Sequence, residues 1–207
     1  MPTKCFFIAP AGMVRHFLRR HFDNPRAGHY CEARFPIGDH PEDRESSGAH
    51  RYVEPPPLTD ERWPTKCDKC GVEFEPSAHA HVLTTELYRR HDTGQLLTLN
   101  EAPPGAMWYG HYYDYRGPRA ENGEDVKRDT LIVRCPDGWD WTIDGRASNC
   151  TMVNDQAHRC WVRHGDPSRG ELVTVDKNGL TCGAGAGSIM TLDQKYHGFL
   201  VNSEFKP

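Results

Sequence analysis

Residues 130–199 read TLIVRCPDGWDWTIDGRASNCTMVNDQAHRCWVRHGDPSRGELVTVDKNGLTCGAGAGSIMTLDQKYHGF, and this stretch decides the fold. Short apolar runs alternate in it with turn-forming residues. The runs 131–135 and 139–143 flank Pro-Asp-Gly at 136–138, where proline fixes φ and glycine can adopt the left-handed conformation. A β-hairpin is therefore predicted from residue 131 to residue 143.

Three further strand pairs are predicted in the same stretch: 150–153 with 159–163, 172–176 with 180–182, and 189–192 with 198–201. The second of these pairs contains an Asn-Gly dipeptide, which is a strong signal for a tight hairpin turn. Strands at such short spacing are typical of antiparallel sheets. We therefore predict a mainly β protein of the α+β kind, whose C-terminal part is an antiparallel, hairpin-rich sandwich or barrel-like module.

One or two helices are predicted ahead of this module. Over residues 13–22, apolar side chains recur at helical spacing and three arginines occupy the other face, until an Asn-Pro pair ends the helix. The second helix is predicted over residues 78–91, with a serine N-cap before it and a glycine after it. Residues 4–9 are short, aromatic and bounded by proline, and are predicted to form a strand.

Three segments are predicted along the chain, 1–64, 65–129 and 130–207. The first combines the N-terminal helix with an extended irregular arm, because the sequence beyond residue 26 is polar, charged and interrupted by Pro-Pro-Pro at 55–57. The second holds a Cys-x-x-Cys motif at residues 67–70 that is expected to form a zinc knuckle, followed by the second helix and an aromatic-rich connector. The third is the antiparallel β module.

The composition indicates a turn-rich protein with a modest core. Of 207 residues, 19 are glycine, 16 are proline and 37% are hydrophobic. The formal net charge of −4 does not create an electrostatic field that would attract the protein to nucleic acid or to an anionic membrane. No run approaches the ~18 apolar residues of a membrane span, and Arg15, Arg19 and Arg20 lie where a signal peptide would be apolar. We expect a soluble protein made in the cytoplasm, whose eight cysteines begin reduced.

The strongest chemical signal is Lys-Cys-Asp-Lys-Cys-Gly at residues 66–71. Two residues separate Cys67 from Cys70, which lets both thiolates face one tetrahedral zinc ion, while Gly71 permits the positive φ of such a knuckle. A zinc ion held here would be structural. Two other interpretations stay open: cysteines that are unliganded or disulfide-bonded, and a thiol–disulfide redox motif, which would begin a helix after a strand.

A zinc site needs two more ligands, and the sequence offers two pairs. His29 and Cys31 lie upstream and would attach the irregular arm to the body. His79 and His81 lie downstream as the alternative, but on the predicted helix residues two apart diverge by about 200°. The predicted ligand set is therefore His29, Cys31, Cys67 and Cys70.

A second group of candidate residues lies between positions 144 and 164. A thiol near a histidine is the minimum requirement for a cysteine nucleophile. The candidates of this kind are Cys150, His158, Cys160 and His164. The structural alternative is a hydrogen-bonded polar corner in which Asp144 pairs with Arg146, and it is favoured because turn chemistry accounts for the surrounding sequence. No residue is therefore assigned a catalytic role.

Five blocks of the sequence support a resemblance: APPGAMW at 102–108, IDGRASNCT at 143–151, HRCWVRHG at 158–165, TVDKNGLTCGAGAGSI at 174–189 and YHGFL at 196–200. Over roughly residues 61–205 the chain resembles a family of uncharacterised proteins encoded by tailed bacteriophages. No activity is established for that family. The resemblance implies a viral product made in the host cytoplasm and, by analogy, a component of the virion.

The function expected from these features is that of a phage virion-associated structural protein, a capsid decoration or minor structural protein, with a structural zinc site. Its partners would be other virion proteins or copies of itself, while a membrane or nucleic acid is not expected. One alternative is a small phage-encoded enzyme or host-takeover factor that uses the candidate cysteines and histidines between positions 144 and 164. The other is a zinc-ribbon nucleic-acid-binding protein that uses Arg15, Arg19 and Arg20. A structural role is favoured over an enzyme.

Overall fold

The computed structural model describes residues 2–41, 52–76, 78–110, 129–144, 161–177 and 187–207. Antiparallel sheets dominate these ranges, so the predicted mainly β fold is confirmed. The chain divides into two compact units, one made of Met1–Ala9 with Arg89–Pro207 and the other of Pro10–Tyr88. The segment boundaries predicted after residues 64 and 129 fall inside these units.

The described ranges contain thirteen strands, in chain order β1 (Thr3–Lys4), β2 (Phe6–Asn24), β3 (His29–Pro41), β4 (His79–Arg90), β5 (Leu96–Leu97), β6 (Ala106–Gly110), β7 (Thr130–Arg134), β8 (Asp140–Thr142), β9 (Trp161–His164), β10 (Thr174–Lys177), β11 (Ile189–Met190), β12 (His197–Val201) and β13 (Glu204–Lys206). The helices in these ranges are two 3-10 turns, Leu99–Glu101 and Pro167–Arg169. The sequence predicted β1 and the start of β2 as one short strand, and it missed β5 and β6, which lie in the predicted aromatic-rich connector, as well as β13.

In the first unit, one sheet has the order β1-β13-β12-β11, and β9 pairs with β10. Strands β6, β7 and β8 form an antiparallel meander, and the first residues of β2 join it in parallel, with Phe6 opposite Ala106. This parallel pair joins segments about a hundred residues apart in the sequence. Local turn signals could not have predicted it.

Two of the predicted hairpins are present. In the β7–β8 hairpin Val133 lies opposite Trp141, and Gly138 has a φ of +89° and donates its N–H to the carbonyl of Cys135 at 2.9 Å. Strands β11 and β12 form another, as predicted for 189–192 with 198–201. The predicted strands 150–153 and 180–182 lie outside the described residues. Strand β10 pairs with β9, which the sequence did not predict.

The core of the first unit is built from strands that are distant in the sequence. Trp141 of β8 meets Trp161 of β9 edge to face, with ring centroids 5.3 Å apart, and Phe205 of β13 lies beside them. Leu131 and Leu200 are fully buried in the same cluster. Burial of each such side chain stabilises the fold by about 1.5–3 kcal/mol.

The two predicted helices are wrong, because both segments form strands. Residues 13–22 belong to β2, which pairs antiparallel with β3 from Met13 opposite Pro41 to Asn24 opposite His29. Val14, His16 and Leu18 are all completely buried. Their spacing of two is the strand period. The sequence pattern does not show this period, because histidine counts as a polar residue although His16 is buried.

The second helix, predicted over residues 78–91, is replaced by β4. Its middle carries Val82, Thr84 and Thr85, whose β-branched side chains favour an extended backbone. Pairing with β2 in the sheet then decides between the two conformations.

The predicted irregular arm is also wrong over β3, which is a regular strand. The Asn-Pro pair interpreted as a helix end instead begins the turn between β2 and β3. Proline suits the second position of such a turn, and the Asn24 side chain accepts hydrogen bonds from the N–H groups of Arg26 and Ala27. Residues 52–56 have no regular secondary structure, as predicted, and 42–51 lie outside the described residues.

Candidate metal centre

Two parts of the second unit supply the candidate ligands. His29 and Cys31 lie at the start of β3, and residues two apart in a strand point to the same face. Cys67 and Cys70 belong to a knuckle closed by a bridge between Lys66 and Glu73. The Cys67 N–H donates to Val72 at 2.9 Å and the Gly71 N–H donates to Cys67 at 2.9 Å. Gly71 has a φ of +71°, as the knuckle requires.

The four ligand atoms form one compact group. They all lie within 4.8 Å of one another. The Cys31 Sγ is 3.7 Å from the Cys70 Sγ and 3.7 Å from the His29 Nε2, and the Cys67 Sγ is 4.0 Å from the same nitrogen. A tetrahedral zinc ion with its usual bond lengths places two sulfurs about 3.8 Å apart and a sulfur and a nitrogen about 3.6 Å apart. The group therefore has the dimensions of a tetrahedral metal site.

Neighbouring groups orient the ligands. The His29 Nδ1 lies 3.1 Å from the carbonyl of Ala27, which leaves Nε2 to face the sulfurs. The Asn24 Nδ2 donates to the Cys31 Sγ at 3.5 Å, and the Lys69 N–H donates to the Cys67 Sγ at 3.4 Å. Hydrogen bonds of this kind fix ring orientation and stabilise bound thiolates.

Burial and hydrogen bonding act in opposite directions on the thiols. Burial alone would raise the pKa of Cys67, but hydrogen bonds from the backbone N–H groups of Cys70 and Lys69 and from His29 outweigh it and lower this pKa to about 6. Burial raises the pKa of Cys31 to about 11, and the neighbouring thiols add to that rise. At pH 7 the metal-free centre would therefore hold Cys67 as a thiolate beside the protonated Cys31, and binding of a metal would release the Cys31 proton.

The surroundings are apolar on one side and open on the other. Cys31 and Cys67 are buried in a small cluster with Ala33 and Phe74, against which Phe22 packs. Cys70 is exposed. The apolar side limits access of water to Cys31 and Cys67, so an ion would enter and leave on the Cys70 side.

The predicted ligand set is the one that the structure brings together. Among the described residues, His29, Cys31, Cys67 and Cys70 are the group of His, Cys, Asp or Glu side chains close enough to hold a metal ion. The alternative pair was set aside for a wrong reason, because His79 and His81 lie on a strand and not on a helix. Both rings contact the ring of His21, with centroids at 5.6 Å and 5.1 Å.

The candidate catalytic corner is mostly outside the described residues, which include His164 but not Cys150, His158 or Cys160. The described part is an ion pair. Asp144 accepts hydrogen bonds from Arg163 at 3.0 Å and from the Leu131 N–H at 2.9 Å. Both side chains of the pair are 2% exposed, which makes it part of the structural core; the predicted partner Arg146 is not described.

The arginines of the nucleic-acid hypothesis are occupied by protein groups. Arg15 pairs with Asp39 at 2.7 Å and Arg19 pairs with Glu32 at 3.2 Å. Arg20 donates to the backbone carbonyls of Pro64 at 3.3 Å and Glu75 at 3.2 Å. The carboxylates beside Arg15 and Arg19 offset their charge and weaken their attraction for phosphates, whereas the carbonyl partners of Arg20 are uncharged.

Comparison with known proteins gives no match to a family model, to a curated protein or to a solved structure. The fold and the site alone therefore describe the chain, as a β-rich protein with a group of one histidine and three cysteines that can hold a metal ion. Within the described ranges, no helix has the length and apolar character needed to cross a membrane.

Proposed function

We propose that the centre binds one zinc ion in a structural role. The observation that carries this proposal is the convergence of His29, Cys31, Cys67 and Cys70 at tetrahedral spacing. Three thiolates and an imidazole are a soft ligand set that suits zinc, and four protein ligands leave no position for a substrate or for a reactive water. The ion would join β3 to the knuckle.

Metal analysis of the purified, untagged protein tests this proposal. We expect one zinc ion per chain, and we expect cobalt substitution to give the visible spectrum of a tetrahedral thiolate site. The variant His29→Ala should lose the metal, whereas His79→Ala should retain it as the matched control. A zinc content far below one ion per chain after growth in zinc-supplemented medium would contradict the proposal.

We further propose that the chain is a virion-associated structural protein, either a capsid decoration protein or a minor structural protein. Support comes from the resemblance to tailed-phage proteins, from the sheet-rich architecture and from a metal centre suited to stabilisation. Mass spectrometry of gradient-purified particles and of the soluble lysate tests it. Copies that co-purify with assembled particles are expected, and a chain found entirely in the lysate would refute the proposal.

A further inference from the structure

The residue between the knuckle cysteines reaches the outer edge of β3. The Asp68 N–H donates to the carbonyl of Glu32 at 3.0 Å, and the Arg34 N–H donates to the Asp68 carboxylate at 3.1 Å. In an antiparallel pair, alternate residues direct their N–H and C=O groups away from the neighbouring strand. Glu32 and Arg34 are residues of this outward kind, so Asp68 caps the edge of β3 that faces away from β2.

This edge has the features of a pairing site. In the part of the chain that the structure describes, β3 pairs with β2 alone. An uncapped strand edge is a template for another strand, and Tyr30 and Phe35, which flank the capped residues, are 41% and 49% exposed. The position of Asp68 depends on Cys67 and Cys70 on either side of it, and therefore on whatever holds these two ligands to Cys31.

We propose that the metal centre keeps the outer edge of β3 capped, and that loss of the metal lets this edge pair antiparallel with the same edge of a second copy of the chain. The inference rests on the zinc site proposed above. Without the ion, the knuckle loses its cross-link to β3. Asp68 is then no longer held in the position from which it forms its two hydrogen bonds with Glu32 and Arg34.

Charge complementarity indicates that the strand that pairs with this edge belongs to a second copy of the chain. Antiparallel self-pairing centred on Ala33 places Glu32 of each copy opposite Arg34 of the other, so opposite charges meet twice. Opposite-charge cross-strand pairs stabilise a sheet. The same two residues already direct their backbone groups outward, so both pairs can exchange hydrogen bonds. Cys31 and Ala33 are buried on the other face of β3 and need not move.

The oligomeric state of the full-length protein, measured by light scattering after size exclusion in a thiol-reducing buffer, tests the proposal. The zinc-loaded chain should have the monomer mass of 23.5 kDa. Removal of zinc by a chelator should double this mass, and addition of zinc should restore it. A chelated protein that has lost its zinc and stays monomeric would overturn the proposal.

Two charge-reversal variants test the register. Glu32→Arg places arginine opposite arginine and Arg34→Glu places glutamate opposite glutamate, so the metal-free form of each should dimerise at least about tenfold more weakly than the parent. An equimolar mixture of the two variants restores both opposite-charge pairs, and we expect it to form heterodimers. Equal dimerisation of the single variants, or no gain on mixing, would rule out this pairing.

Zinc content measured on the same fractions separates the two possible failures. If the purified protein contains no zinc, the proposed metal centre is wrong. If zinc is present and is removed by the chelator, but the mass and the mixing experiment do not change, the metal centre stands and edge pairing alone is wrong. Circular dichroism of each variant confirms that the sheets are retained.

Discussion

Zinc should determine the thermal stability of this protein, and the magnitude follows from binding linkage. A ligand that binds only the folded state stabilises it by RT ln(1 + [L]/Kd), which is about 2.7 kcal/mol when free zinc is 100 times Kd. For a chain of this size, 1 kcal/mol corresponds to roughly 2–4 °C, so Tm should rise by about 5–11 °C. Each further tenfold increase in free zinc adds about 1.4 kcal/mol.

The assay is a thermal melt followed by circular dichroism over a series of buffered free zinc concentrations. The parent protein should show a Tm that rises with the logarithm of free zinc. His29→Ala removes one ligand and should abolish this dependence. His79→Ala and His81→Ala change histidines that the structure places outside the ligand group, and should leave the dependence unchanged.

A Tm that does not depend on zinc in the parent protein would refute the reasoning. So would an unchanged zinc response in His29→Ala, because the ligand set would then be different. A response lost equally in His29→Ala and in His81→Ala would point to a general effect of histidine removal and would also contradict the assigned site.

Three other perturbations have defined outcomes. Asp144→Ala removes the carboxylate partner of the buried Arg163 guanidinium and should cost about 3–5 kcal/mol in urea unfolding. Acid should destabilise the second unit, because burial and then the charge of a neighbouring arginine lower the pKa values of His21 and His81 below the usual 6.5. The folded state therefore binds fewer protons, and stability present above pH 6.5 should fall as pH drops toward the folded-state pKa values, as melts from pH 7.5 to pH 5 can show. Gly165→Ala would place a Cβ 2.1 Å from a backbone oxygen at a φ of +85°, and should lower Tm.

The changes at Asp144 and Gly165 have matched controls, and the acid dependence has a test variant. Asp193→Ala removes the exposed partner of a lysine and should have a far smaller effect than the change at Asp144. His21→Gln should flatten the acid dependence, and an unchanged slope would contradict the assignment. Gly138 has a similar φ of +89° but open space around it, so Gly138→Ala reports the backbone cost alone, about 1–2 kcal/mol. Equal losses at Gly138 and Gly165 would show that the contact is unimportant.

The Cys-x-x-Cys half of the candidate metal centre was predictable because its chemistry is encoded locally: the spacing of Cys67 and Cys70 with the following glycine indicates a knuckle. His29 and Cys31 were preferred because a helix was predicted over His79 and His81, where the structure has a strand. Two of the predicted C-terminal hairpins, β7–β8 and β11–β12, are present, whereas the pairing of β9 with β10 was not predicted. Asp68 was not found, because its role depends on backbone groups of β3 that no residue pattern reveals.

The conformations of β2 and β4 were not predictable from their own sequences. In β2 the apolar residues fit a helical period as well as a strand period, and the buried His16 reads as polar. Pairing with β3 decides the outcome, with a register shift after His16 that breaks strict alternation. Such pairing is a property of two segments together, so a single periodic pattern could not contain it.

The metal centre also joins two points of the chain that are 39 positions apart, at Cys31 and Cys70. A bound ion would therefore close a loop that includes residues 52–56, which have no regular secondary structure. A protease cut there would leave the two halves joined by the ion as well as by the pairing of β1 with β13 and of β2 with β4 and β6. Because doubling the length of a loop adds only about 0.6 kcal/mol of closure cost, the same interval should accept inserted sequence with little loss of stability.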